Sequence, residues 1–329
     1  MSERDWWRFA SSKECPVSCG GLVPQSGGSY PLPAGGESVS KTEQTIEFST
    51  ERSTCRGVFT APAIDEANGL TVVVCPGLGG TRDGPVVQSA VRGFNAAGFA
   101  VFAFDYSSFG DSDGSPRQVA EVALQIEEVV AAVKAVARHS RVDANRVALW
   151  GTSLGGAHAI AAASRHPVRG VVAQLPFVGV ASKSGLPGTM RFAAAAVSDR
   201  IRRALRLEPH YIPLVGAVGS TAAMTNAEPE RVSRLFDGTS WCNKVSAGVL
   251  LDLVRYRPAE YAAGAPPLLL CVGEDDPMTP GYLVDEVVAA APTCEVKTLP
   301  VGHFELENGV HESAWMAAQV DFLERVMAI

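Results

Sequence analysis

The chain has 329 residues, 47% of them apolar and 19% charged, enough for one large core or for one core carrying an insertion. Its 28 Lys and Arg against 35 Asp and Glu leave a net charge of −7 spread along the sequence, which argues against the concentrated positive surface of a nucleic-acid binder. No stretch reaches the roughly 20 uninterrupted apolar residues of a membrane span, and the start, MSERDWWRFA, lacks the basic flank and apolar run of a secretory signal.

Residues 1–42 are rich in Gly, Ser and Pro, show no periodicity, and read as a surface-wrapping arm. TEQTIEFST (42–50) and CRGVFTAP (55–62) read as an antiparallel strand pair. Apolar runs then follow at intervals: TVVVC (71–75), FAVFAFDY (99–106), RVALW (146–150), GVVAQL (170–175), PLLLCVG (267–273) and CEVKTLP (294–300). Amphipathic stretches separate them, the clearest being 117–138, where apolar positions recur at helical spacing. Strands apolar on both faces that alternate with helices predict a doubly wound, mostly parallel α/β sheet covered on both sides. Residues 176–264 break the alternation with a connection far longer than a crossover helix needs. Their helical and aromatic segments predict an inserted, largely helical cap. The expected organisation is an arm (1–42), a core (43–175 and 265–329) and a cap (176–264).

Seven cysteines, at 15, 19, 55, 75, 242, 271 and 294, are an odd number without a framework pattern. They read as free thiols in a reducing compartment, hence a cytoplasmic protein. Cys15 and Cys19 have metal-ligand spacing, but no second Cys/His pair lies nearby, so no metal site is expected.

The chemistry concentrates where RVALW ends. Gly151-Thr152-Ser153-Leu154-Gly155 between a strand and a helix would hold Ser153 on a tight turn at the carboxyl end of the sheet, where ligands meet such folds. A serine hydroxyl needs a histidine base, and the base needs an acid to fix its tautomer. Of six histidines, His139, His166 and His210 read as surface residues, and His311 as part of the last helix. His158 lies about 140° around the helix from Ser153 and reads as packing. His303, in LPVGHFELENG after the last strand, is the expected base. The acid comes from GEDDPMTP (273–280): Asp276 sits three residues past Gly273, with Asp275 in reserve. The backbone N–H groups of Leu154 and of Leu78, the latter in the glycine-rich CPGLGGTRDG (75–84), would hold an oxyanion. A phosphate cradle would want a Lys-Ser/Thr ending or G-x-G-x-x-G, and neither is present.

The elbow GTSLGGAH, the segment FDYSSFGDSDGSPRQ (104–118), the acid turn GEDDPMTP and the loop GHF stand in an order that resembles the α/β-hydrolase superfamily along residues 43–329. DSDGSPRQ, Gln125-Ile126 and VAQLPFV (172–178) are similar to a narrower branch related to X-prolyl peptidases and dienelactone-hydrolase-like proteins, which includes polyketide hydrolases and acyl transferases. That resemblance implies loop-structuring roles for Asp105 and Asp111. The chain departs from the pattern at Pro76-Gly77, where many members have His-Gly.

The expected function is a serine hydrolase that cleaves an ester, thioester or related acyl bond of a small, largely apolar substrate through an acyl-enzyme. Phe177, Met190, Trp241 and Tyr256 are the expected lining of its cap pocket. No cofactor, nucleic acid or membrane is implied, and the oligomeric state stays open, with a homodimer as one reading. Acyl transfer, or elimination and C–C cleavage in a secondary-metabolite pathway, is the alternative on the same scaffold. A binding protein without turnover is the rival from another class.

Overall fold

The computed structural model describes residues 42–62, 67–180, 186–305 and 312–328. Residues 1–41 of the expected arm, with Cys15 and Cys19, lie outside these residues, as does His311, whereas Thr42 opens the first strand. An antiparallel pair, β1 (Thr42–Ser49) and β2 (Thr54–Ala61), leads into β3 (Thr71–Cys75), α1 (Pro85–Ala96), β4 (Ala100–Asp105), α2 (Val122–Val136), β5 (Val147–Thr152), α3 (Leu154–Ala163) and β6 (Val171–Gln174). An inserted stretch holds α4 (Leu186–Ala204), the short strands β7 (Tyr211–Ile212), β8 (Val215–Ala217) and β9 (Met224–Asn226), α5 (Pro229–Arg234), β10 (Val245–Ser246), α6 (Val249–Arg255) and α7 (Ala259–Ala262). The chain then returns through β11 (Leu268–Gly273), α8 (Gly281–Ala290), β12 (Cys294–Leu299) and α9 (Glu312–Met327).

Eight strands form one sheet in the order β1-β2-β4-β3-β5-β6-β11-β12. β1 and β2 run antiparallel to each other, and β2 runs antiparallel to β4; every further pair is parallel. The central strands are buried along their whole length, so their residues alternate between two apolar layers. Val73, Phe102, Phe104 and Leu149 join the layer that includes Ile126 of α2 and Ile160 of α3, while Val72, Val74, Val101 and Trp150 join the layer of Phe94, Trp315 and Phe322 from α1 and α9. Each such side chain contributes about 1.5–3 kcal/mol of burial, and the two layers fix the sheet's register, because a slip by one residue would exchange the faces. The edge strand β12 is largely exposed and carries Glu295 and Lys297 outward, charges that discourage pairing with another sheet edge. This is the mostly parallel, two-sided α/β sheet that the alternation predicts.

Because β3, β5, β6, β11 and β12 are parallel, the loops at their carboxyl ends share one edge of the sheet. The loop after β3, the turn after β5 and the loops after β11 and β12 carry the four groups singled out in the sequence.

Candidate active site

β5 passes into α3 through Ser153, whose backbone sits at φ 53° and ψ −123°. A residue with a Cβ holds such a conformation at an expense on the order of 1–3 kcal/mol. Two hydrogen bonds pin it: the Ser153 N–H donates to the Gln174 carbonyl at 2.9 Å, and the Phe177 N–H donates to the Ser153 carbonyl at 2.9 Å. The glycines are needed for close approach. A Cβ on Gly151 would lie 2.2 Å from the Gly155 carbonyl oxygen, and a Cβ on Gly155 would lie 2.2 Å from that of Cys75.

The loop after β12 brings His303 to this turn, with Nε2 3.0 Å from the Ser153 Oγ and Nδ1 2.7 Å from the Asp276 Oδ2. Asp276, three residues beyond β11, is buried; it also accepts from the Met278 N–H at 2.8 Å and the Thr279 hydroxyl at 2.9 Å. Burial pushes its carboxyl up, but the hydrogen bonds from His303, Met278 and Thr279 outweigh this and hold it below the usual carboxylate range. An ionised carboxylate can only accept, so the His303 Nδ1 must carry the proton, which leaves Nε2 free to accept from the Ser153 hydroxyl. The His303 side chain is 8% exposed and that of Asp276 is 0% exposed, so these contacts lie in a poorly screened interior. Asp275 and Glu274 point to solvent.

The loop after β3 completes the surroundings. A Cβ on Gly77 would lie 3.3 Å from that of Ser153, so this backbone runs directly beside the serine. Among the described residues, neither the Leu78 nor the Leu154 N–H has a hydrogen-bond acceptor. The loop is anchored to the end of β4, where the wholly buried Asp105 accepts from the Arg82 N–H at 2.7 Å, the Arg82 Nη1 at 3.1 Å and the Asp111 N–H at 3.1 Å. Burial raises the Asp105 carboxyl to about 6 against the opposing charge of Arg82. Arg82 also pairs with Asp111.

A cavity of about 90 Å³ opens over Ser153 and His303, walled by Leu78, Val86, Met224, Phe236, Trp241 and Phe304 among others. A larger one of about 240 Å³ lies between α1 and α9, but its lining holds no histidine. Of the four expected pocket residues, Trp241 lines the cavity over the serine; the other three do not. Tyr256 is buried with its hydroxyl 3.3 Å from the His158 Nδ1, since a buried phenol needs a polar partner. Phe177 stacks on Tyr256 at 5.9 Å. Met190 is 70% exposed on the outer side of α4. His158 is wholly buried, accompanied by the Gln125 Oε1 at 3.2 Å, and burial lowers it to about 3, so it is a neutral packing residue. Sequence reasoning missed Phe236, Met224 and Phe304; only Phe304, adjacent to His303 in GHF, carried a local signal. The free-thiol reading holds for Cys55, Cys75, Cys271 and Cys294 but fails at Cys242, which is disulfide-bonded. The expectation of seven free thiols, on which a reducing compartment rested, therefore does not hold. Among the described residues, no helix is long and apolar enough to cross a membrane.

A doubly wound sheet with a strained serine at the end of its fifth strand defines the α/β-hydrolase class. The chain belongs to the family Hydrolase_4, described as "Serine aminopeptidase, S33", whose model matches residues 66–308. It is 32% identical over 304 residues to the quorum-quenching protein AidA of Acinetobacter baumannii, covering 89% of this chain and 99% of that one. It is 25% identical over 304 residues to the polyketide transferase ATR5 of Stachybotrys chlorohalonatus, covering 87% and 98%. The crystal structure of the α/β hydrolase GrgF from a Penicillium species superposes with a TM-score of 0.75 at 25% identity, over 88% of this chain and all of that one.

Proposed function

We propose that the protein is a serine hydrolase that cleaves an ester, thioester or related acyl bond of a small, largely apolar substrate through an acyl-enzyme. The single observation that carries this reading is the His303 ring, bonded on one side to the Asp276 carboxylate at 2.7 Å and on the other to the Ser153 hydroxyl at 3.0 Å. Ser153 Oγ attacks the substrate carbonyl while its proton passes to the His303 Nε2, and Asp276 steadies the imidazolium that results. The Leu78 and Leu154 N–H groups, which have no other acceptor among the described residues, donate to the oxyanion of the tetrahedral intermediate, and each such donor is worth about 10²–10³ in rate. Collapse expels the leaving group, which takes the proton from Nε2. Water then attacks the acyl-enzyme by the same route in reverse. Residues 176–264 act as a cap on the core of 43–175 and 265–329, supplying Met224, Phe236 and Trp241 to the cavity wall.

The test is turnover of p-nitrophenyl butanoate and of a butanoyl thioester by the wild type and by Ser153→Ala. The variant should lose on the order of 10⁴-fold or more in kcat; equal turnover would remove Ser153 from the reaction.

Acyl transfer is the second reading, favoured by the apolar cavity walls and by the relative named as a polyketide transferase. A dry site lets an alcohol or amine outcompete water for the acyl-enzyme. Product analysis with and without such an acceptor separates the two: free acid throughout means hydrolysis, and new ester or amide means transfer.

A further inference from the structure

The loop after β3 is clamped in two directions by consecutive residues. Arg82 ties it inward to Asp105, and Asp83 ties it outward to the inserted stretch. The Asp83 Oδ2 accepts from the Ser240 N–H at 2.7 Å, and the Oδ1 accepts from the Ser240 hydroxyl at 2.8 Å and from the Thr81 hydroxyl at 2.6 Å. Charge-assisted bonds of this length are the strong kind, and three on one carboxylate leave its residue little freedom.

Ser240 immediately precedes Trp241, whose indole stacks on the Phe236 ring at 4.7 Å with the planes 21° apart. Phe236 in turn rests against Gly84, where a Cβ would meet its ring at 3.6 Å. The aromatic pair is thus seated on the same turn, residues 81–84, that Asp83 fastens. It forms the aromatic part of the cavity wall contributed by the insertion, beside Val215, Met224 and Leu235, and among the described residues nothing ionisable except His303 lines that cavity. The space of about 90 Å³ is smaller than the ~150 Å³ that holds a benzene ring, so about four carbons fill it.

We infer that the cavity over Ser153 takes a short, uncharged acyl chain of about four carbons, and that Asp83 is the positioning residue which, through Ser240, holds the Phe236–Trp241 wall that sets this limit. This rests on the reading of Ser153 as the nucleophile. Longer chains are refused because the wall does not move; a loosened wall admits them.

The experiment is a series of p-nitrophenyl esters from acetyl to decanoyl, read as the ratio of kcat/KM for octanoyl to that for butanoyl. A ratio is used because a variant that merely misfolds in part loses all chain lengths alike and leaves the ratio where it was. The wild type should favour butanoyl by about tenfold or more, the discrimination expected when extra methylenes meet a fixed apolar wall. Trp241→Ala, which removes the wall itself, and Asp83→Ala, which releases it, should each raise the ratio about tenfold. Asp83→Asn keeps an oxygen that accepts from Ser240 and should restore most of the wild-type preference. A wild-type ratio near one, or an Asp83→Ala ratio equal to the wild type's, overturns the inference. Fluorophosphonate labelling of Ser153 in the same preparations keeps the two levels apart: label with a flat chain-length series sinks only this inference, whereas no label removes the reading beneath it as well.

Discussion

In the proposed mechanism the Asp276 carboxylate acts only through His303, so its replacement tests the orienting role in isolation. Asp276→Asn would keep the shape but offer an amide where Nδ1 needs an acceptor, and a flipped imidazole tautomer costs on the order of 10⁴ in kcat. Asp275→Asn, at an exposed side chain, should leave kcat within about twofold, as surface changes usually do. A reversed pair of results would move the role by one residue. The depressed Asp276 carboxyl also has a sign: its favourable contribution is present above the ordinary carboxylate pKa and is lost as pH falls through its lower folded value. The contact set Ser153, His303 and Asp276 was legible in the sequence because few residue types suit the proposed chemistry, and among the described residues His303 is the one histidine on a loop after the last strand. Phe177, Met190 and Tyr256 were not. Which side of a helix or loop faces a cavity is decided by packing between distant segments, as when Tyr256 turns to His158 and does not line the cavity over Ser153.

At the scale of elements, the turn between β5 and α3 is tightly constrained. Gly155→Ala would drive a Cβ to within 2.2 Å of the Cys75 carbonyl oxygen, a backbone atom of the central strand that cannot move aside. The variant should lower the denaturation midpoint by the equivalent of about 2–4 kcal/mol, as overpacking against a fixed backbone does, and should slow labelling of Ser153 by a fluorophosphonate. Gly219→Ala is the counterpart, since that glycine has nothing within 4 Å of an added Cβ. Its φ of +85° still makes the change unfavourable by only about 1 kcal/mol, with no effect on labelling. A Gly155→Ala protein as stable and as reactive as the wild type would contradict this account of the turn. The five apolar runs from TVVVC to PLLLCVG fell on β3, β4, β5, β6 and β11 because buried parallel strands advertise themselves as continuous apolar sequence, while CEVKTLP fell on the exposed edge strand β12. The two- and three-residue strands β7 to β10 left no such trace: too short to show a period of two, they exist only through pairing across the insertion.

The whole molecule carries a buried acid that catalysis does not use. Glu128 on α2 is fully buried, its Oε2 accepts from the Ser107 N–H at 3.2 Å, and its Oε1 has no hydrogen-bond partner among the described residues. Burial raises it to about 7 against the Ser107 hydrogen bonds. Because the folded protein holds this proton more tightly than the unfolded chain, the contribution is full below about pH 4.5 and is lost as pH rises through about 7, on the order of 3 kcal/mol over that window. Glu128→Gln should flatten the fall in thermal midpoint between pH 5 and pH 8, in steps of about 1.4 kcal/mol per unit of pH removed, and thermal melts across that range decide it. Such a group could not be found in the sequence, since a glutamate on an amphipathic helix looks like any other charged surface residue until the β4 loop closes over it. The central claim remains that Ser153 forms a covalent acyl intermediate. It is tested most directly by treating the protein with a fluorophosphonate and mapping the adduct by peptide mass spectrometry. A single modification on the peptide containing Ser153, absent from Ser153→Ala and slowed in His303→Ala, is the predicted result. No adduct on the wild type, or equal labelling of Ser153→Ala, would contradict it.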